Sequence, residues 1–133
     1  MTARAALHTL VANDSGLLAL GVSGVYAADS LDTPPGELFA VIRWLPTRPV
    51  FKSTGADQVA IWIHDTQRDY GRINDALHRL RQIVPEAVHL LGGDGWRLTC
   101  AEWAGESGDL FDAGYETCTR YVEFTVISSR VGA

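Results

Sequence analysis

At 133 residues the chain can form one domain with a real core, and folding at this size buries roughly two-thirds of the unfolded chain's surface. Its composition is ordinary globular, 47% hydrophobic and 20% charged, and the net charge of -5 argues against a dedicated nucleic-acid binder, which carries a basic excess. Cys100 and Cys118 are too few for a disulfide framework, Met1 to Leu20 lacks the pattern of a signal peptide, and no apolar run approaches the ~20 residues that span a bilayer; these features predict a soluble cytoplasmic product with free thiols.

The first helix is expected from Thr2, a candidate cap, through Ala3, Ala6, Leu7, Leu10 and Val11, which repeat at helical spacing. Asn13-Asp14-Ser15-Gly16 interrupts it. Asp14 or Ser15 then caps a short turn through Leu17, Leu18 and Leu20, closed by Gly21. Ser23 to Glu37 reads as a surface loop ending in Thr33-Pro34-Pro35-Gly36. Leu38 to Leu45 reads as a strand stopped by Pro46, and Val59 to His64 as a second strand paired with it. Between them Pro46 to Ala56 is a long connection, of the kind that is often functional or mobile.

A second helix is expected after Asp65 to Asp69, with Thr66 or Asp69 as its cap. Ile73, Ala76, Leu77, Leu80 and Val84 form its core stripe, and Pro85 ends it. Gly92-Gly93-Asp94-Gly95 turns into a hairpin of Trp96 to Trp103 and roughly Cys118 to Ser128, and Ser129 to Ala133 reads as a loose tail. The two cysteines sit on these paired strands and could face each other. The connection from Glu102 to Glu116 carries Glu102, Glu106, Asp109, Asp112 and Glu116 with no Lys or Arg. The expected fold is α+β: a four-stranded, largely antiparallel sheet with two helices packed on one face, in the order α-β-β-α-β-β.

Two helices cover one face of such a sheet. Alternation assigns Val59, Ile61, Ile63, Trp96, Leu98, Cys100, Val122, Phe124 and Val126 to the covered face. The other face then carries Trp62, His64, Trp103, Tyr121 and Ile127, with Ile42 and Trp44 or their neighbours. An aromatic face of that kind marks a contact surface, with Trp62, Trp103 and Tyr121 as its anchors, unless loops such as Ser23 to Glu37 fold over it. Arg68, Arg72, Arg79 and Arg81 lie on and before the second helix, so a basic helix of one subunit could meet the acidic loop of its neighbour in a ring. Two ordinary solvated faces account for the same charges.

No catalytic or metal-binding pattern emerges. His8, His64, His78 and His89 form neither H-x-H nor H-E-x-x-H, and neither cysteine lies in C-x-x-C. His64 beside Asp65 reads as a strand end followed by a helix cap. Ser107 lies in Gly-Glu-Ser-Gly-Asp within a hairpin, which is not a nucleophile elbow.

The element order and several words resemble the tail terminator (tail completion) proteins of long-tailed, siphovirus-type bacteriophages. The carrying features are the helix broken at Asn13 to Gly16 and Phe39 to Trp44, with its long connection to Val59 to His64 and Asp65. To these add Asp75-Ala76-Leu77 within Ile73 to Val84, Trp103 before the acidic loop, Asp112-Ala113-Gly114-Tyr115, and Arg120-Tyr121-Val122-Glu123-Phe124. The resemblance implies a structural protein without cofactor or metal. It would form a homo-hexameric ring on the head-proximal end of the tail tube, stopping tube polymerisation and offering the head–tail joining surface. Its expected partners are its own copies, the tail tube protein and the neck (connector) proteins. Genomic DNA would pass through without sequence-specific binding, in a virion assembled in the host cytoplasm and with no membrane involved. The alternatives are a head-completion or connector protein, or, in a different class, a small α+β enzyme or ligand-binding domain.

Overall fold

The computed structural model describes residues 3–28, 33–51 and 54–132, without side-chain detail over 46–51 and 54–55. Two short helices open the chain. α1 (Arg4–Ala12) turns Ala6, Leu7 and Val11 inward, and α2 (Ser15–Leu20) turns Leu17 inward. Asp14 separates them and caps α2, accepting a hydrogen bond from the Leu17 N–H at 2.9 Å. Gly21 closes α2 at φ 101°, in the left-handed region where a side chain would be strained. Thr2, the expected cap of α1, lies outside the described residues. A distant hydroxyl meets the start of that helix instead, because the Ala3 N–H donates to Ser128 Oγ at 3.0 Å.

α3 (Tyr70–Glu86) is capped by Asp69, which accepts from the Gly71 N–H at 2.8 Å. Ile73, Ala76, Leu77, Leu80 and Val84 are buried, the stripe that the spacing predicts. Pro85 sits in the final turn and the helix ends one residue later.

The mixed α+β class holds, but the expected four strands and two helices are corrected, among the described residues, to one sheet of seven strands and three helices. The strands are β1 (Val22–Ala27), β2 (Leu38–Phe51), β3 (Thr54–Asp65), β4 (Leu90–Leu91), β5 (Trp96–Glu106), β6 (Leu110–Asp112) and β7 (Thr117–Arg130). In space they run β1-β2-β3-β7-β5-β4, with β6 also on β7. β1 pairs parallel to β2, and every other pairing is antiparallel. β1 occupies part of the segment expected to be a loop. Its small residues hide the pattern, and its partner is distant in sequence.

Pro46 does not stop β2. The register slips between Trp44 and Thr47, and pairing with β3 resumes through Phe51. β1 pairs with β2 only as far as Ile42, so among the described residues no strand lies on the outer edge of β2 beyond it. A proline is tolerated at a bulge on such an edge, where its missing N–H breaks no ladder. The expected long connection from Pro46 to Ala56 is therefore mostly hairpin. β7 likewise reaches Arg130, where a loose tail was expected from Ser129.

The helices cover the face bearing Val59, Ile61 and Ile63 of β3 and Val122, Phe124 and Val126 of β7. Ile42 and Trp44 belong to this face, not to the opposite one: Ile42 pairs with Ile61 and Trp44 with Val59, and paired residues share a face. The bulge between Leu98 and Cys100 shifts the alternation by one residue, so Ala101 takes the core position that Cys100 was expected to fill.

Candidate functional site

The acidic connection and α3 build one surface. The register of β5 on β7 slips between Trp103 and Gly105, whose φ of 151° suits glycine; pairing ends after Glu106, and β6 takes over beside β7 at Thr117 to Thr119. Arg120 of β7 holds this departure in place. Its Nε and Nη2 donate to the Ser107 carbonyl at 3.0 and 2.7 Å, and its Nη1 donates to Asn74 Oδ1 on α3. Its guanidinium also lies 3.4 Å from Glu106 and 3.9 Å from Asp109. One buried-end cation thus ties the turn of the acidic loop to the helix.

The arginines singled out by sequence are engaged within the chain. Arg81 lies 3.4 Å from Glu106 and stacks over Trp103, 4.2 Å from the ring centre. Arg68 sits over Phe111 at 5.1 Å. Arg72 grips Asp65 through two bonds of 3.0 and 2.7 Å, and Asp65 is fully buried. Arg79 grips Asp14 at 2.9 and 2.8 Å. That fork holds the Asp14 carboxyl below the usual carboxylate range, first through the hydrogen bonds and against the cost of burial. Basic helix and acidic loop therefore do meet, through Arg81 and Glu106 of one chain, while Arg72 and Arg79 fasten the ends of other elements. Glu102, Asp109 and Glu116 are exposed, and Asp112 is half-buried.

The aromatic residues divide between two places. Trp62 and Tyr121 do lie together on the face away from the helices, with ring centres 4.6 Å apart. Trp103 does not join them. It pairs with Phe124, which puts it on the helix side, at the rim beneath Arg81 and 48% exposed. Leu110 and Phe111 of β6, 39% and 52% exposed, lie farther along β7, where Phe111 pairs with Cys118, about 20 Å from the Trp103 position.

On the far face Phe39 and His64 stack at 5.0 Å, and Tyr115 meets both rings edge-on at 5.8 and 5.3 Å. His64 Nδ1 is 2.8 Å from Thr117 Oγ1. Burial pushes the His64 imidazole down from 6.5 to about 4, with the Asp112 charge pulling the other way. A cleft of about 290 Å³ lies beside it, lined by Val41, Arg43, Trp62, Asp112 and Tyr115 among others. Asp65 points to the opposite face, toward Arg72, as successive strand residues must, so His64 and Asp65 form no acid–base pair.

No cluster of metal-ligating side chains occurs among the described residues, and among them no helix is long and apolar enough to cross a membrane. The cysteines do not face each other. Cys100 pairs with Ile127 and Cys118 with Asp65 and Phe111, which separates them by about 30 Å along β7.

No family model and no curated protein matches the chain. Among solved structures, a chain in the virion of a native gene transfer agent particle superposes with a TM-score of 0.73. The match covers 96% of this chain and 95% of that one, at 14% identity. The protein has the fold of a virion chain.

Sequence reasoning did not single out Arg120 or Phe111 as site residues. Arg120 sits on the far side of the hairpin from Glu106, 14 residues away, so only the paired register brings it to the loop. The signal available for Phe111 was an aromatic pair, Leu110-Phe111, inside a run of acids and glycines.

Proposed function

We propose that this chain is a structural, non-enzymatic virion protein of a tailed, phage-type particle, acting as a tail terminator. Copies form a ring, hexameric on the family resemblance, at the head-proximal end of the tail tube. The ring stops tube growth and offers the surface on which the neck proteins and head dock, and DNA passes through its centre. The carrying observation is the end-to-end fold match with a chain of a gene transfer agent virion. Two exposed aromatics, Trp103 beneath Arg81 and Phe111 beneath Arg68, support it, since aromatics beneath arginines have the composition of protein-contact hot spots.

Particles made without the chain test this reading by electron microscopy. Overlong, headless tubes are the expected product, and the purified chain added to growing tubes should cap one end and halt them. Normal joined tails in its absence would overturn the role. Heads that retain the chain while tails lack it would move it to the head-completion side of the neck.

A further inference from the structure

The two edges of the sheet are stepped. On one edge β1 flanks β2 only as far as Ile42, which pairs with Ala27. On the other, β4 flanks β5 only at Arg97 and Leu98, and the last bond from that side runs from the His89 N–H to the Thr99 carbonyl. Beyond these steps, among the described residues, neither β2 nor β5 has a strand on its outer side. Trp44 stands in one gap and Trp103 in the other. They lie at one level of the sheet, since Trp44 pairs with Val59, Val59 with Phe124 and Phe124 with Trp103. Both therefore lie on the helix side. One is a knob and the other borders a hole. Trp103 is 48% exposed beneath Arg81, whose charge Glu106 answers. Trp44 is partly buried, and beside it opens a cleft of about 260 Å³ lined by Arg4, Ala5, His8, Ala27 and Ile42. Arg4 lies over the Trp44 ring at 5.4 Å, so the cleft offers an aromatic wall, a cation and small apolar side chains, which suit an indole.

From this we infer that Trp103 of one copy enters the cleft between Arg4 and Trp44 of a second copy, head to tail. The pairing rests on the ring reading above and names the two surfaces that make the ring. The stepped edges permit it. When two copies stand side by side without sliding along the strands, β4 of the first and β1 of the second share one strand position at different levels. The gap left between them is where Trp103 faces the cleft. The same placement brings exposed Phe111 to the outer edge of β1, because Phe111 reaches the level of Val22 through Cys118, Asp65 and Leu38. On the opposite face exposed Glu102 of one copy and exposed Arg43 of the other flank the joint, and opposite charge steers it. Because knob and hole differ, the contact is heterologous, and one without slide closes into a ring when the rotation permits.

Two variants separate knob from hole. Trp103→Ala removes the knob and keeps the cleft. Ala27→Trp, at an exposed position, plugs the cleft and keeps the knob. Each is compared with wild type by sedimentation and native mass spectrometry under the conditions in which wild type assembles, in solution or on tube ends. Each alone should associate roughly tenfold more weakly or worse, because a buried tryptophan anchor is lost or shut out. Mixed in equal amounts, the two should form 1:1 dimers that grow no further, since the mixture allows one intact contact and no second. Thermal melting checks that both variants remain folded. Wild-type association by either variant alone, or a mixture that forms no dimer, would overturn this pairing and leave the ring standing. No association of wild type, in solution or on tube ends, would overturn the ring and the pairing together.

Discussion

On the face of the sheet turned to the helices, Ile61, Ile63, Val122, Phe124 and Val126 are fully buried beneath α1 to α3. On the opposite face Phe39 and His64 are almost as deeply buried, at 0% and 4% exposure, yet Tyr115 of the β6–β7 connection covers them. The first face is apolar through its middle and covered by the helices. The second is a short aromatic stack holding a neutral imidazole, and it opens onto Arg43, Trp62 and the cleft. Helices supply apolar cover over the middle of the first face, and its buried polar groups are answered from the helices, Asp65 by Arg72 and Ser128 by the Ala3 N–H. A loop brings its own polar atoms with it, and Thr117 beside His64 shows how they are satisfied.

The contrast breaks most sharply at Phe124. Phe124→Ala should cost about 3–5 kcal/mol in urea unfolding, since the fully buried ring leaves a cavity under α3. A loss below about 1 kcal/mol would mean that the helix face is not the tightly packed one.

Acid should strike the other face selectively. His64 is held at about 4 in the fold against 6.5 in the unfolded chain. The folded state thus binds fewer protons, and this contribution is fully present above pH ~6.5 and lost as pH falls toward 4. The shift amounts to about 3 kcal/mol between those limits. Wild type should therefore lose about that much more stability than His64→Gln over the same range, which removes the slope of the other carboxylates from the comparison. Parallel curves for the two proteins would show an imidazole that water already reaches.

The smallest effect on folding is expected at the rim. Trp103→Ala should change unfolding free energy by less than about 1 kcal/mol, because the ring is half exposed and its stack with Arg81 is at the surface. The same substitution should reduce capping of tube ends. A change in stability with unaltered capping would make Trp103 a part of the core.

The helices and the inner strands were legible from the sequence, because the caps at Asp14 and Asp69 and the stripe from Ile73 to Val84 act within a few residues of each other. The aromatic pair Trp62 and Tyr121 was legible for the same reason, as alternation assigns both to one face. The parallel edge strand β1, the pairing of β2 past Pro46 and the side on which Trp103 lies were not. Each depends on a partner strand far along the chain, or on a bulge that shifts the alternation.

The site divides in the same way. The acids from Glu102 to Glu116 and the arginines of α3 stand in the sequence, but which of them meet does not. Arg81 with Glu106, Arg79 with Asp14 and the Arg120 clamp are set by how α3 packs against β5, the α1–α2 turn and β7. By itself the sequence determined the helices, the inner strands, the apolar stripe of α3 and the uneven spread of charge, all of which follow from local spacing. Only the tertiary structure decided which charges neutralise one another, because an ion pair depends on distance in space.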